Sequence, residues 1–437
     1  MGLKDRIMSL ESKPDPTQRA LLLGIQHPGT ADCETEALLS ELEQLANNLG
    51  IQVVKRTIVS LRTPQARFLI GSGKAAEIMA NAESHGCDVI IVDDDLSPAQ
   101  QRNWEKELKS IAVIDRQEVI LDIFAQRART REAVLQVSLA YMQYTLPRLK
   151  RAWGHLNRQR GGGATQRDAG ETQLELDQRL VRKRIARLKR ELAQVVKHRA
   201  VQRKKRLKVP VPTAALVGYT NAGKSSLLNC LTDADALVAD KLFATLDPTT
   251  RRLKLPSKQT LLLTDTVGFV RRLPHQLINA FKATLEEAVA ADFLIHVLDT
   301  SSPDVEQHYQ TTIEVLRELN PHFVEGGHGV LTVFNKTDLV SDPLDLQVLR
   351  SQHPDACFIS TYTKEGIPEL MNRFESLLQT QVTPMTLRLP HQRYDLRNLL
   401  YECGSIQHEE PDANGIYILA LVPHRLCTQF KPFEVDA

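Results

Sequence analysis

Eight consecutive residues, Gly218-Tyr-Thr-Asn-Ala-Gly-Lys-Ser225, constrain the fold of this chain more than any other segment. They match the pattern G-x-x-x-x-G-K-[ST], a glycine-rich loop (the P-loop) that joins a strand to a helix and surrounds phosphates with backbone N–H groups. In this pattern we expect Lys224 to reach the β and γ phosphates and Ser225 to bind Mg²⁺. The apolar residues 214–217 supply the preceding strand. The segment therefore predicts an α/β domain with a phosphate site.

Two shorter motifs follow in order, Asp265-Thr-Val-Gly268 and Asn335-Lys-Thr-Asp338, and each stands after an apolar run that predicts a strand. We expect Asp265 to lie beside the metal and Gly268 to approach a γ-phosphate with its backbone. The carboxylate of Asp338 can accept hydrogen bonds from N1–H and N2–H₂ of guanine, donors that adenine does not present in that pattern. Each short motif alone is a weak signal, but the three in this order predict a GTP site.

The predicted nucleotide-binding residues come from five stretches: the P-loop with the residue after it, the loop at 243–247, the two short motifs, and a pair after the last strand. They are Gly218, Tyr219, Thr220, Asn221, Ala222, Gly223, Lys224, Ser225, Ser226, Phe243, Ala244, Thr245, Leu246, Asp247, Asp265, Thr266, Val267, Gly268, Asn335, Lys336, Thr337, Asp338, Ser360 and Thr361. The predicted catalytic residues among them are Lys224, Asn221, Thr245 and Gly268.

A second Mg²⁺ ligand is expected from a threonine between the P-loop helix and the next core strand. The segment Phe243-Ala-Thr-Leu-Asp-Pro-Thr-Thr250 offers three, of which Thr245 is favoured over Thr249 and Thr250. Threonines in a turn around a proline also suit a loop without a metal, and that alternative stays open. The predicted metal ligands are therefore Ser225 and Thr245.

Two positions bear on the rate of hydrolysis. Phe269 directly follows the second motif, where many GTPases have a glutamine that orients water, and a phenyl ring cannot take that role. We therefore predict slow intrinsic turnover that a partner stimulates. Asn221 in the P-loop is typical of GTPases that use K⁺ in place of an arginine finger, although an asparagine that braces the loop is an equal alternative.

The bulk composition indicates a multidomain globular chain. At 437 residues it is long enough for about three domains, and its hydrophobic content of 42% is typical of globular proteins. The six cysteines are scattered, so neither a disulfide framework nor a zinc site is expected. No signal-peptide pattern and no apolar run of about 20 residues is present, which predicts a cytoplasmic protein without a membrane span.

Strands that alternate with helices predict an α/β fold class with four regions. Residues 1–116 are predicted to form a parallel-sheet domain, with strands at 20–25, 51–59, 87–92 and 112–114. Residues 117–210 are predicted to be a basic helical hairpin and linker with a glycine-rich loop. Residues 211–380 are predicted to be a doubly wound P-loop GTPase domain, and residues 381–437 a small C-terminal α/β subdomain.

Positive charge is concentrated in residues 147–206, which contain 19 Lys/Arg against 5 Asp/Glu in a chain of net charge +2. Val181, Ile185, Leu188, Leu192 and Val195 follow a heptad spacing that predicts a helix packed along one seam. Such density, with the interspersed aromatic residues Tyr144, Trp153 and His155, predicts contact with RNA phosphates. The alternative is that the charges only solvate the exposed face of a helix.

Four segments together resemble the HflX family of ribosome-associated GTPases. They are Phe68-Leu-Ile-Gly-Ser-Gly-Lys74, Gly170-Glu-Thr-Gln-Leu-Glu175, Leu242-Phe-Ala-Thr-Leu-Asp-Pro-Thr249 and Asp265-Thr-Val-Gly-Phe269. The resemblance implies an N-terminal α/β domain with a helical hairpin, a GTPase domain and a small C-terminal domain. It also implies binding of the large ribosomal subunit and rRNA through residues 147–206, with GTP-dependent splitting or rescue of ribosomes under stress. A monomer is expected.

The chain departs from the family at Thr165-Gln-Arg-Asp-Ala-Gly170, where a run like T-R-G-P-G-E-T is usual, which affects the expected RNA contact. Gly71-Ser-Gly-Lys74 is better explained as a tight turn than as a second nucleotide site, because Phe68 and Ala75 break the P-loop pattern. The main alternative function is a GTP-gated adaptor for another RNA or protein. ATP-driven RNA remodelling by the first domain is a weaker one.

Overall fold

The structure is a computed structural model, and it describes residues 18–108, 110–149, 173–206, 211–232, 248–257, 259–271, 291–319, 329–379, 382–403, 406–412 and 415–435. The chain divides into two compact units. The first consists of residues 1–195, 241–243 and 271–280, and the second of residues 196–240, 244–270 and 281–437.

The first unit contains a four-stranded sheet in which every neighbouring pair is parallel, in the order β2-β1-β3-β4. Its strands are β1 (Arg19–Gln26), β2 (Gln52–Ser60), β3 (Val89–Val92) and β4 (Ala112–Asp115). The connecting helices are α1 (Asp32–Asn48), α2 (Ser72–Ser84) and α3 (Pro98–Leu108). These strands confirm the four predicted ones, although β3 begins two residues later than expected.

Helix α3 begins with a reciprocal pair of capping hydrogen bonds. The Ser97 hydroxyl accepts a hydrogen bond from the Gln100 amide at 3.2 Å, and the Gln100 side chain accepts one from the Ser97 amide at 2.9 Å. This reciprocal pair satisfies two amides that would otherwise lack partners at a helix start. The turn at Gly71 opens α2, and the Lys74 ammonium pairs with Glu77 at 2.8 Å, as expected for a surface turn.

The helical region after β4 begins with two close helices. They are α4 (Arg116–Arg127) and α5 (Arg131–Thr145), followed by a 3₁₀ turn (Leu146–Arg148). The break comes where the hydroxyl of Thr130 caps α5 by accepting from the Ala133 amide at 3.2 Å. Helix α6 (Gln173–Arg206) follows. Its heptad position Leu188 is buried and the other four are half-buried, and the seam along which they would pack stays a prediction.

One aromatic residue does not have the role expected from the sequence. Tyr144 on α5 is only 3% exposed, and its hydroxyl donates to Asp115 at 3.0 Å and to Glu118 at 3.1 Å. The prediction that it contacts RNA is therefore wrong, because a ring fixed inside the unit is not available for stacking on a base. Trp153 and His155, the other two aromatic candidates, lie outside the described residues.

The second unit contains a six-stranded sheet in the order β10-β9-β8-β5-β7-β6. Its strands are β5 (Thr213–Gly218), β6 (Thr249–Lys254), β7 (Thr260–Asp265), β8 (Phe293–Asp299), β9 (Val330–Asn335) and β10 (Cys357–Phe358). Its helices are α7 (Lys224–Thr232), α8 (Val305–Leu319), α9 (Pro343–Gln352) and α10 (Ile367–Gln379). Five strands are parallel to their neighbours, so the ends of β5, β7, β8 and β9 meet at one edge.

Strand β6 was not predicted, and it corrects the expectation for two threonines. It runs antiparallel to β7 at the edge of the sheet, and it buries Leu253 while most of its other residues are exposed. Thr249 and Thr250 therefore lie in a strand and not in a loop, and the Thr250 hydroxyl bonds that of Thr264 at 2.9 Å. A polar edge strand lacks the apolar run by which the core strands were recognised.

The second unit also contains a three-stranded antiparallel sheet in the order β11-β13-β12. Its strands are β11 (Val382–Leu389), β12 (Ile406–Asp412) and β13 (Gly415–Pro423), with helices α11 (Tyr394–Cys403) and α12 (His424–Phe430). Leu387, Leu400, Ile418 and Phe430 are fully buried in its core. Across the described ranges, no helix is both long and apolar enough to cross a membrane. The fold class is mixed α/β, as predicted.

Candidate nucleotide-binding site

The P-loop joins β5 to α7, and two of its glycines are required by their surroundings. Gly218 has φ 144°, and a Cβ there would lie 2.1 Å from the carbonyl oxygen of Val297. Gly223 has φ 90°, and a Cβ there would lie 2.2 Å from Nδ2 of Asn335. A side chain at either position would be strained and would collide with the neighbouring strand. The loop can therefore keep this shape only with glycine at both positions.

Lys224 is the first residue of α7, and its ammonium is held inside the P-loop. Nζ donates to the carbonyl oxygens of Tyr219 at 2.7 Å and of Gly218 at 3.1 Å. Burial lowers the pKa of Lys224 to about 8, while the nearby Asp265 carboxylate acts in the opposite direction. A phosphate in the loop would add negative charge beside this buried cation.

Ser225 and Asp265 bring two hard oxygen groups together at the ends of neighbouring elements. The Ser225 hydroxyl donates to Oδ2 of Asp265 at 2.6 Å, and β5 and β7, which lead to these residues, are parallel neighbours. Hydroxyl and carboxylate oxygens beside a phosphate loop are the donors that Mg²⁺ prefers, so the residues fit this metal. Thr245, the other predicted ligand, lies with Phe243, Ala244, Leu246 and Asp247 outside the described residues.

The backbone after β7 lies directly against the P-loop. The Phe269 amide donates to the Gly218 carbonyl at 3.0 Å, and the Thr220 amide donates to the Phe269 carbonyl at 2.8 Å. A Cβ at Gly268 would lie 2.8 Å from Cα of Thr220 and 2.9 Å from Nζ of Lys224. The Thr266 hydroxyl donates to the Leu216 carbonyl at 2.6 Å, which fixes the start of this segment to β5. A side chain at Gly268 would thus collide with both the P-loop backbone and the lysine ammonium.

Asn335 connects the third motif to the rest of the site. Its side-chain amide donates to the Ala222 carbonyl in the P-loop at 3.0 Å, and its side-chain oxygen accepts from the Thr361 amide at 3.1 Å. The Ser360 hydroxyl donates to Oδ1 of Asp338 at 2.5 Å. Asn335 and Ser360 are fully buried, whereas Asp338 is exposed and so can meet a ligand. The structure therefore brings the P-loop, the third motif and the Ser360–Thr361 pair to one edge of the sheet.

The remaining predicted residues that the structure describes lie in the same loops and at the start of α7. Asn221 has a left-handed backbone with φ 61° and an exposed side chain, a conformation that asparagine adopts more readily than most residues. Lys336 is also left-handed, with φ 64°, and Thr337 follows it in a 3₁₀ turn. Ser226 and Val267 lie in α7 and in the segment after β7, beside the residues already described.

Residues outside the motifs also shape the site. Asp299 and Thr300 stand at the end of β8, where Asp299 pairs with Lys336 at 2.6 Å and the Thr300 hydroxyl donates to the Asn335 carbonyl at 2.6 Å. Both residues could have been predicted from the sequence, because ligand-binding residues of such sheets follow the carboxyl ends of the parallel strands, as Asp265 does. His296, inside β8, is fully buried, and burial lowers its pKa to about 3 with a smaller contribution from the Lys224 charge. No sequence pattern predicts that a buried histidine lies behind the P-loop.

The doubly wound sheet, the P-loop and the motifs joined to it define a P-loop GTPase. Family models match three parts of the chain: "GTP-binding GTPase N-terminal" over residues 36–125, "GTP-binding GTPase Middle Region" over 127–206, and "50S ribosome-binding GTPase" over 213–336. Two curated proteins named GTPase HflX are similar over nearly the whole chain. The one from Akkermansia muciniphila is 44% identical and the alignment covers 98% of this chain and 100% of the relative. The one from Escherichia coli K12 is 41% identical over 97% and 98%.

The chain belongs to the HflX family of GTPases. It is accordingly a GTP hydrolase, as the motifs predicted. Among solved structures, the crystal structure of SsGBP in complex with GDP is 26% identical, over 83% of this chain and 98% of that chain. Its TM-score of 0.47 is too low for the superposition to add to the family assignment.

Proposed function

We propose that the chain is a Mg²⁺-dependent GTP hydrolase that associates with the large ribosomal subunit and splits or rescues ribosomes under stress. The main support for GTP binding is a pair of hydrogen bonds made by the Asn335 side chain. Its amide donates to the Ala222 carbonyl in the P-loop at 3.0 Å, and its oxygen accepts from the Thr361 amide at 3.1 Å. Because of these bonds, a base held at Asp338 and phosphates held by the P-loop belong to one pocket.

In the proposed mechanism the P-loop amides and the Lys224 ammonium bind the phosphates, and the Asp338 carboxylate accepts hydrogen bonds from guanine. Ser225 and Thr245 would hold Mg²⁺, which when bound neutralises negative charge on the β and γ phosphates. Gly268 offers its backbone amide to the γ-phosphate, since only a residue without a side chain fits beside Lys224.

Phe269 gives this site a slow intrinsic rate. Its ring is buried, at 4% exposed, and its backbone is bonded on both sides to the P-loop, so it offers no polar group to an attacking water. The group that orients water or neutralises the transition state therefore comes with a partner, and K⁺ at Asn221 is our candidate for the cation. Replacing K⁺ by Na⁺ in the assay tests the cation: equal rates in the two salts would assign Asn221 to bracing the loop.

The ribosome part of the proposal rests on the exposed charge of α6 and on the family. The described part of this helix leaves eight basic residues exposed: Arg179, Arg182, Lys183, Arg184, Arg187, Lys189, Arg190 and Lys197. A row of guanidinium and ammonium groups suits an RNA phosphate backbone. The matching model for residues 213–336 is described as a 50S ribosome-binding GTPase, which supports the same partner.

The proposal includes the organisation of the chain and its setting in the cell. We place domain boundaries at residues 116, 210 and 380, between the parallel sheet, the basic helical region, the GTPase sheet and the C-terminal sheet. We also propose that the protein acts as a monomer in the cytoplasm, where ribosomes are found.

Co-sedimentation with purified 50S subunits tests this function. The protein should pellet with the subunits in a non-hydrolysable GTP analogue and much less in GDP, and the subunits should raise the rate of phosphate release. Arg182→Gln with Lys183→Gln should weaken binding and flatten its salt dependence. Arg102→Gln with Lys106→Gln on α3, which removes the same charge, is the matched control. Binding without stimulated hydrolysis would favour a GTP-gated adaptor instead.

A further inference from the structure

The short segment after β8 holds the base-recognition motif by hydrogen bonds that lie outside all the motifs. The backbone amide and the hydroxyl of Thr300 both donate to the carbonyl oxygen of Asn335, at 2.9 and 2.6 Å. Thr300 is 6% exposed, so water competes little for these bonds. The position of the Asn335 backbone is therefore fixed by β8 and not only by its own strand.

Asp299, the last residue of β8, binds the next residue of the motif. Its Oδ2 accepts from Nζ of Lys336 at 2.6 Å, and the Lys336 and Asp299 side chains are 22% and 20% exposed. Its Oδ1 accepts from the amide of Ser301 at 3.0 Å and from the hydroxyl of Ser301 at 2.6 Å. The carboxylate is thus oriented by Ser301 before it meets the lysine, and a partly buried, charge-assisted bond of this kind is among the stronger ones in proteins.

Lys336 needs such a restraint because of its backbone. It has φ 64° and ψ 35°, the left-handed region, which costs most residues other than glycine and asparagine about 1–2 kcal/mol. The residue stands between Asn335, which is bonded to the P-loop, and Asp338, which faces the base. The direction of the chain at Lys336 therefore helps to set where the Asp338 carboxylate points, together with the Ser360 hydroxyl that donates to it at 2.5 Å.

We propose that Asp299 is a positioning residue for guanine recognition: by binding Lys336 it holds the left-handed turn that aims Asp338 at the base. The inference rests on the proposed guanine site. Asp299 does not touch the base in this arrangement, and its effect passes through Lys336. Its loss should accordingly weaken the contacts that Asp338 makes and leave the phosphate contacts of the P-loop in place.

The test compares GDP with inosine diphosphate, which lacks the 2-amino group, on the full chain by calorimetry. Asp299→Asn should lower the affinity for GDP about tenfold, the order expected for a lost charge-assisted bond, and should lower the affinity for inosine diphosphate less. The ratio of the two affinities should therefore fall. A merely structural role would lower both affinities equally. Asp355→Asn, whose side chain is 95% exposed, is the control and should change neither.

A second variant tests whether the effect passes through the turn. Lys336→Gly removes the ammonium and adopts the left-handed conformation without strain. In that background Asp299→Asn should have no further effect on the GDP affinity. An additional tenfold loss, or an unchanged ratio of affinities in the single variant, would overturn the proposal. If Asp338→Asn abolishes the guanine preference while Asp299→Asn does not alter it, the guanine site stands and only the role of Asp299 is lost. If Asp338→Asn keeps the preference, the guanine site itself is wrong.

Discussion

Replacing Gly268 by alanine should slow GTP hydrolysis severely while leaving the fold intact. The added Cβ would lie 2.8 Å from Cα and Cγ2 of Thr220 and 2.9 Å from Nζ of Lys224. Ordinary contacts begin near 3.4 Å, so these atoms must move apart by roughly 0.5 Å or more. The segment cannot slide away easily, because Phe269 is bonded to Gly218 at 3.0 Å and to Thr220 at 2.8 Å.

The expected loss of hydrolysis rate depends on which group the added Cβ displaces. The lysine ammonium is the most movable of the contacted groups, and it is the group that must meet the β and γ phosphates. Misplacing a catalytic group by about 1 Å costs on the order of 10²-fold in rate. We therefore expect the maximal rate to fall between tenfold and 10²-fold, and GDP affinity to fall less because the base contacts lie elsewhere.

The assay is steady-state phosphate release at saturating GTP, with and without 50S subunits, together with a thermal melt. Gly73→Ala in α2 is the matched control, since a Cβ there has nothing within 4 Å. It should hydrolyse GTP at the wild-type rate. A wild-type rate in Gly268→Ala would mean that hydrolysis does not need Lys224 in the position in which the structure holds it.

Three further predictions concern Ser225, Asn335 and Asp115. Ser225→Ala should raise the Mg²⁺ concentration needed for half-maximal GTP hydrolysis, and an unchanged Mg²⁺ titration would exclude the hydroxyl as a ligand. Asn335→Ala leaves the buried carbonyl of Ala222 without its donor and should cost about 1–3 kcal/mol in urea unfolding, with weaker GDP binding. Burial raises the pKa of Asp115 from 3.8 to about 6, against the opposing charge of Arg148. The folded state therefore holds this proton more tightly, and the associated stability is present below pH 4 and lost as the pH rises through 6. As the pH rises from 4.5 to 7.5, the urea midpoint of unfolding should accordingly fall less for Asp115→Asn than for the wild type. If the two proteins showed the same dependence of this midpoint on pH, the raised pKa of Asp115 would be contradicted.

The sequence predicted the parts of the fold that depend on apolar runs and on strand ends. The core strands β5, β7 and β9 were found because their residues are apolar and parallel strands are buried on both faces. Asp265 and Asn335 were then placed at one edge because that is where such strands end. Strand β6 was not predicted, because it is a polar strand at an edge of the sheet and only Leu253 is buried in it.

Contacts between distant polar side chains could not be predicted in the same way. Tyr144 was expected at a surface because it stands near a basic segment, yet two carboxylates on β4 and α4 bind its hydroxyl inside the unit. The pairing of Asp299 with Lys336 depends on a left-handed turn whose φ no periodicity encodes. Both examples show that a pattern of residue types locates elements, whereas side-chain partners follow from how those elements pack.

Calorimetric titration of the pure protein with GDP and with ADP, in the presence of Mg²⁺, tests whether the site selects guanine. GDP should give a saturable heat signal, ADP should bind at least about 10³-fold more weakly, and Asp338→Asn should lose this discrimination. Equal affinities for the two nucleotides in the wild-type protein would contradict guanine selection by Asp338.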